Sequence, residues 1–258
     1  MPAIIPIPAF RDNYIWAIRD GGRAAVVDPG DAAPVRDWLA RERLELSAIL
    51  ATHHHADHVG GIDALVTGRE IPVYGPAGEA IPHRSHALRE GDEIDVAGVA
   101  LRLRVLDIPG HTAGHIAYVG DNGGVPVAFV GDTLFAAGCG RLFEGTPAQM
   151  STSLAKLAAL APSTEIYCGH EYTLANLRFA RAVEPSSAAL VEREAREKAK
   201  RDRGLPTLPS TIGDERATNP FVRAGEPSVW SAAQRHAGRP LADAIESFAT
   251  LRAWKNAF

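Results

Sequence analysis

Apolar residues come in short dense runs through the first part of the chain and at helical spacing through the last part. Ile4–Ile7, Tyr14–Ile18 and Ala24–Val27 are brief apolar stretches bounded by turn residues, which predicts the opening strands of a sheet. Within Ala33–Arg43, Val35, Trp38 and Leu39 recur at the period of an amphipathic helix, and Ala48–Ala51 is unbroken enough to be a buried strand. Ile62–Val66 reads as a short helix, Ile71–Tyr74 as a strand, and Glu93–Leu106 as two strands that turn at Ala97-Gly98. Val127–Val130 and Glu165–Cys168 are further strands. Between them Thr146-Pro147 makes a good N-cap and first turn for a helix with Met150, Leu154 and Leu157 on one face. Strands interleaved with helices predict an α/β fold.

From Thr173 onward strand-like runs thin out and Ala, Glu, Arg and Leu accumulate, so this portion reads as helical. Ser187–Arg203 carries Glu192 with Arg196 and Glu194 with Lys198 at i,i+4, the pattern of a solvated helix face. Gly204–Pro220 is rich in Pro, Thr and Ser and reads as a long loop. A final helix over Leu241–Trp254 turns Phe248, Leu251 and Trp254 inward.

Composition changes this picture little. With 258 residues the chain can bury a full core, and 46% hydrophobic with 22% charged residues is ordinary for a globular protein. A net charge of -4 gives no general attraction to nucleic acid or to anionic membranes, so neither is expected as a partner. The stretch Met1–Tyr14 is interrupted by Pro2, Pro6 and Pro8 and has neither a basic segment nor a long apolar run, which points to a cytoplasmic protein. Cys139 and Cys168 are too few for a disulfide framework and are expected to be small buried thiols.

The chemistry concentrates in Thr52–Gly60, which reads T-H-H-H-A-D-H-V-G at the end of a predicted strand. His53, His55, Asp57 and His58 supply the nitrogen and oxygen donors that a borderline metal prefers. Four such groups within six residues are costly to bury unless a cation neutralises them. In an extended segment His53 and His55 point to one side, whereas Asp57 and His58 fall beyond a bend, so two ions are expected rather than one. Further candidates sit where other strands end, at Asp28, His111, Asp132 and His170. Asp28 serves as a turn former or orients a ligand, and His115 has a supporting role at most.

H-x-H-x-D-H after a strand, followed by P-G-H-T-x-G-H at 109–115, resembles the metal-binding signature of the metallo-β-lactamase superfamily. The resemblance implies His53, His55 and His111 on one metal, Asp57, His58 and His170 on the other, and Asp132 bridging them, with Asp28 in an orienting part. It also implies a four-layer αββα sandwich over residues 1–172 with the dimetal site at the sheet edges, followed by a helical substrate-binding portion over 173–258. The donors accept zinc, iron or manganese alike, and zinc is the default.

Other stretches narrow the family. Ala137–Thr146 (A-G-C-G-R-L-F-E-G-T), Cys168–Thr173 (C-G-H-E-Y-T), Leu208–Gly213, Ala217–Phe221 and the terminal Arg252-x-x-Lys255 resemble glyoxalase II enzymes, the hydroxyacylglutathione hydrolases, over essentially the whole chain. That family implies a thioester hydrolase, a monomer acting on a small-molecule glutathione thioester. It cleaves S-D-lactoylglutathione to glutathione and D-lactate, the second step of methylglyoxal detoxification. A hydroxide bridging the two cations, held with Asp57 and Asp132, would be the nucleophile. The residues matching the glutathione contacts are Arg141, Tyr172, Arg252 and Lys255. Some relatives carry Tyr where this chain has Phe143, which implies a missing hydroxyl contact to glutathione.

Overall fold

A computed structural model describes residues 1–258. In chain order the elements are β1 (Ala3–Ala9), β2 (Asn13–Asp20), β3 (Arg23–Val27), α1 (Ala32–Glu42), β4 (Glu45–Leu50), α2 (Ala56–Val59), α3 (Ile62–Val66), β5 (Val73–Pro76) and β6 (His86–Leu88). Then come β7 (Glu93–Asp95), β8 (Arg102–Asp107), β9 (Ile116–Asn122), β10 (Val125–Gly131), β11 (Leu134–Phe135), β12 (Gly138–Cys139), α4 (Pro147–Ala158) and β13 (Glu165–Cys168). The remainder is α5 (Thr173–Val183), α6 (Ala188–Asp202), β14 (Ser210–Thr211), α7 (Ile212–Thr218), α8 (Pro227–Ala237) and α9 (Ala244–Ala257).

Two mixed six-stranded sheets form the body. One runs β1-β2-β3-β4-β5-β6, and the other runs β14-β13-β10-β9-β8-β7. Alternation along β2 shows how the layers close. Tyr14, Trp16 and Ile18 join the large core between the sheets, with Val105, Tyr118 and Phe129 opposite. Ile15 and Ala17 point the other way and pack with Val35, Trp38 and Leu39 of α1 and Ile62 of α3. With both faces covered, the strands read as continuous apolar runs. Met150, Leu154 and Leu157 of α4 and Phe248 and Leu251 of α9 join the large core from the second sheet's side, which completes the αββα layering. Burial of each such side chain stabilises the fold by about 1.5–3 kcal/mol.

The local signals act as expected at several points. Thr146 accepts from Gln149 N in a reciprocal capping box with Pro147 at the first turn of α4. Asp31 caps α1. Gly98 has a φ of 80° in the turn between β7 and β8.

Five points need correction or extension. The stretch 204–220 is not a plain loop, because it holds β14, which pairs antiparallel with β13, and all of α7. The predicted Glu192–Arg196 and Glu194–Lys198 pairs do not form: Arg196 pairs with Glu197 and Asp214, Glu194 with Arg181, and Lys198 with Asp202. Nor is α6 solvated all round, since Arg193 and Glu197 are buried and Arg193 binds Glu215 at 2.6 Å. The last helix begins at Ala244 behind an Asp243 cap rather than at Leu241, and β9, a central strand of the second sheet, went unpredicted.

Cys139 and Cys168 are free and buried. No helix is long and apolar enough to cross a membrane.

Candidate metal centre

Five strands deliver side chains to one edge of the sandwich. Asp28 follows β3, His53 follows β4, His111 follows β8, Asp132 follows β10 and His170 follows β13. Two short elements add the rest: His55 stands at the cap of α2, and Asp57 and His58 lie in its first turn. The backbone enables this crowding where glycine removes a Cβ. Gly131 sits at φ 47° against Thr52 and His115, and a Cβ on Gly169 would lie 2.6 Å from His58 Cε1 and 2.7 Å from Asp132 Oδ1.

The donors gather in two groups. In the first, His53 Nε2 and His111 Nε2 approach His55 Nδ1 at 3.2 and 3.0 Å. In the second, Asp57 Oδ2 lies 3.7 Å from His58 Nε2 and 3.5 Å from His170 Nε2. Asp132 stands between the groups: Oδ2 is 3.5 Å from His111 Nε2 and 3.2 Å from His170 Nε2, and Oδ1 is 3.4 Å from His58 Nε2.

Hydrogen bonds behind the rings fix which nitrogen faces inward. His58 Nδ1 contacts Asp28 Oδ2 at 3.1 Å, His111 Nδ1 contacts Arg141 O at 2.8 Å, and His170 Nδ1 contacts Asp12 Oδ1 at 2.8 Å. Carbonyls and carboxylates only accept, so in each case Nδ1–H donates and Nε2 is the nitrogen turned toward the centre. Thr52 Oγ1 donates to Asp28 Oδ2 at 2.7 Å, which leaves it to accept from His53 Nδ1 at 3.0 Å. Asp28 also belongs to a compact group with His53 and His58. Its oxygens are already taken by Thr52 N, Thr52 Oγ1 and His58, so it orients rather than ligates.

Does the donor set suit cations? His58 Nε2 and Asp132 Oδ1 are buried and have no hydrogen-bond partner, a costly arrangement for a protein alone. Both face the gap between the groups. Burial would raise Asp132, yet His58 and His170 outweigh it and hold the carboxyl well below its ordinary range. Burial would lower His58, but Asp132 and Asp28 hold it well above the usual imidazole range. The carboxylates thus draw positive charge into the site, and a divalent ion in each group would satisfy that demand together with the unpartnered atoms. Imidazole and carboxylate donors fit such ions.

One cleft of about 760 Å³ opens over the centre. His55, Asp57, His111, Asp132 and His170 lie in its floor, and Arg141, Phe143, Tyr172, Arg252 and Lys255 also line it. His53 and His58 are buried beneath. Phe143 is 63% exposed, with its ring edge-on to His55 and His111 at 5.5 and 5.3 Å. Tyr172 stacks on His170 at 4.7 Å and 4°. Arg252 is buried, donates to Cys139 O at 2.8 Å and lies over Phe221. Lys255 Nζ donates to Ala175 O at 3.1 Å. Helix α9 extends past both basic residues, so they share a face.

Comparison with known proteins decides the family. The model described as metallo-β-lactamase superfamily matches residues 9–202, and the model described as hydroxyacylglutathione hydrolase C-terminus matches 171–258. A hydroxyacylglutathione hydrolase of Cupriavidus taiwanensis is 58% identical and covers 100% of both chains. The chain belongs to the hydroxyacylglutathione hydrolase family of the metallo-β-lactamase superfamily. Other relatives in that family include the hydroxyacylglutathione hydrolases of Nitrosomonas europaea, 52% identical over 99% of this chain and 96% of its own, and Pseudomonas putida, 53% identical over 100% of both. Among solved structures, the BLEG-1 B3 metallo-β-lactamase superposes with a TM-score of 0.62 at 26% identity, covering 86% of this chain and 99% of that one. ETHE1 from Myxococcus xanthus shares the fold, with a TM-score of 0.64 at 23% identity over 100% of this chain and 99% of its own.

Several residues in the site escaped the sequence reading. Asp12 behind His170 and Asn13 beside Asp57 look like ordinary turn formers in the sequence. Glu79, which accepts from Gly114 N at 3.0 Å and from the Thr112 hydroxyl beneath the His111 loop, has no local motif at all.

Proposed function

We propose that the chain hydrolyses S-2-hydroxyacylglutathiones, S-D-lactoylglutathione foremost, to glutathione and the 2-hydroxy acid, as the second step of methylglyoxal detoxification. The observation that carries this reading is the single cleft in which a two-group donor set and a basic, aromatic rim lie together, in a chain 58% identical to a hydroxyacylglutathione hydrolase along its whole length.

In this reading His53, His55 and His111 hold one cation, Asp57, His58 and His170 the other, and Asp132 both. Two bound cations would supply a water-derived nucleophile at neutral pH and charge stabilisation for the developing oxyanion. Zinc is the expected metal, with iron or manganese as alternatives. Asp57 and Asp132 orient the attacking water through their carboxylates. Arg141, Arg252 and Lys255 offer fixed positive charge and N–H donors to the glutathione carboxylates and amides, and Tyr172 offers a phenol. Phe143 contributes apolar contact only. The leaving thiol has an ordinary pKa of about 8.5, so the thiolate departs without a dedicated acid.

The division of labour is part of the same proposal: residues 1–172 supply catalysis and 173–258 supply substrate binding. A cytoplasmic, monomeric enzyme is proposed with it, testable by fractionation and by size in solution.

The test is thiol release from S-D-lactoylglutathione by zinc-loaded protein, beside a thioester of a simple thiol lacking the peptide. Fast release from the first and little from the second is expected. A loaded protein that cleaves neither would sink the assignment.

A further inference from the structure

Two adjacent residues where β1 turns into β2 hold two of the four donors assigned above to the second cation. Asp12 Oδ1 accepts the Nδ1 hydrogen of His170 at 2.8 Å. Asn13 Nδ2 donates to Asp57 Oδ2 at 3.0 Å and reaches Asp57 O at 3.4 Å. Of the donor groups, these side chains reach the second alone.

The backbone makes the contact firm. Tyr14 N donates to Gly169 O, and Glu171 N donates to Asp12 O, both at 2.8 Å. Asn13 and His170 form an antiparallel bridge. The hairpin of the first sheet is thereby stitched to the end of β13 in the second sheet, across the metal-centre edge. Asp57 needs such a tether most among the carboxylates, since its side chain is 44% exposed against 9% for Asp132. A carboxylate behind an imidazole fixes its tautomer and strengthens its inward nitrogen, and an amide on a carboxylate removes rotamer freedom before a cation arrives.

We infer that Asp12 and Asn13 are positioning residues that set the affinity of the second cation separately from the first. The inference rests on the allocation of donors proposed above.

The test is titration of metal-stripped full-length protein with zinc against a competing chromophoric chelator, which reads each equivalent separately and needs no turnover. Wild type is expected to take two tight equivalents. Asp12→Ala and Asn13→Ala are each expected to weaken the second by about 10- to 100-fold and to leave the first unchanged. Asp12→Asn, which keeps an acceptor oxygen, is expected to recover much of the loss. Should Asp12→Ala fail to fold, Asp12→Ser, too short to reach His170, is read in its place. An unaltered second equivalent in the variants, or equal weakening of both equivalents, overturns the inference while the dinuclear reading stands. A wild-type chain that takes only one equivalent overturns the dinuclear reading and this inference with it.

Discussion

His115 accepts the backbone N–H of Asp132 at its Nε2, 3.1 Å away, while its Nδ1 donates to Ile116 O, also at 3.1 Å. Its ring stacks on His53 at 4.6 Å. Burial, reinforced by repulsion from His111, holds this imidazole well below its usual range, so it stays neutral and keeps its acceptor. His115 thus connects two donor-bearing segments while belonging to neither donor group. His115→Ala would leave the Asp132 N–H buried and unpaired beside a void, at a cost of about 1–3 kcal/mol for the unpaired group alone. A fall in the urea midpoint at unchanged slope is the expected result, and a wild-type midpoint would refute the linking role.

Stripping the metals should expose how much the unpartnered His58 Nε2 and Asp132 Oδ1 depend on them. Zinc at about 100 times its dissociation constant stabilises a one-site protein by about 2.7 kcal/mol, which for a chain of this size is about 5–10 °C in Tm. Calorimetry of stripped and reloaded protein is expected to differ by at least that amount. Coincident curves would argue against a resident cation.

In the proposed role at the cleft, Lys255 carries the pH dependence of recognition. Burial, with repulsion from Arg252 and Arg178, pushes its ammonium down from 10.5 to about 8. The folded chain therefore disfavours the charged form, and stability from this group rises as pH climbs from 8 to 10.5. Substrate binding in the proposed role would run the opposite way, because a glutathione carboxylate pairs only with the charged ammonium. Accordingly kcat/KM for the glutathione thioester is expected to fall above pH about 8, the position set by the depressed Lys255, and Lys255→Arg should lose that limb. A limb that survives in Lys255→Arg would assign it to another group.

Phe143 stands at the rim of the cleft, largely exposed, on the side of the proposed glutathione contacts. Phe143→Tyr is expected to lower KM by about 2- to 12-fold, the equivalent of one added hydrogen bond of about 0.5–1.5 kcal/mol, with kcat little changed. An unchanged KM would remove this position from glutathione recognition.

The donors were legible because each combines a distinctive side chain with a strand end, and both signals are local. His53 through His58 fall within one turn of chain, and His111, Asp132 and His170 each follow an apolar run and a glycine. What holds the donors in place is not local. Asp12 meets His170 from 158 positions away, and Asn13 meets Asp57 from 44. The same holds for the buried Arg193–Glu215 pair, whose Glu215 also accepts from Ala137 N, 78 positions off, and so steadies the segment leading to Arg141. Arg193 lies in a run of charged residues whose spacing suits a solvated face equally well. Strand β14 and helix α7 were hidden by Pro, Ser and Thr, which mark turns more often than a two-residue strand and a one-turn-plus helix.

The short strand β14 has a consequence for the chain as it is made. All seven donors have been synthesised once His170 leaves the ribosome, but the outer edge of β13, the strand that delivers His170, pairs only with Ser210 and Thr211 some forty residues later. Until then the nascent chain carries a complete set of ligands beside an open sheet edge, the kind of surface on which neighbouring chains add strands. Slow translation between 170 and 211 would therefore prolong the time for which this edge stands open.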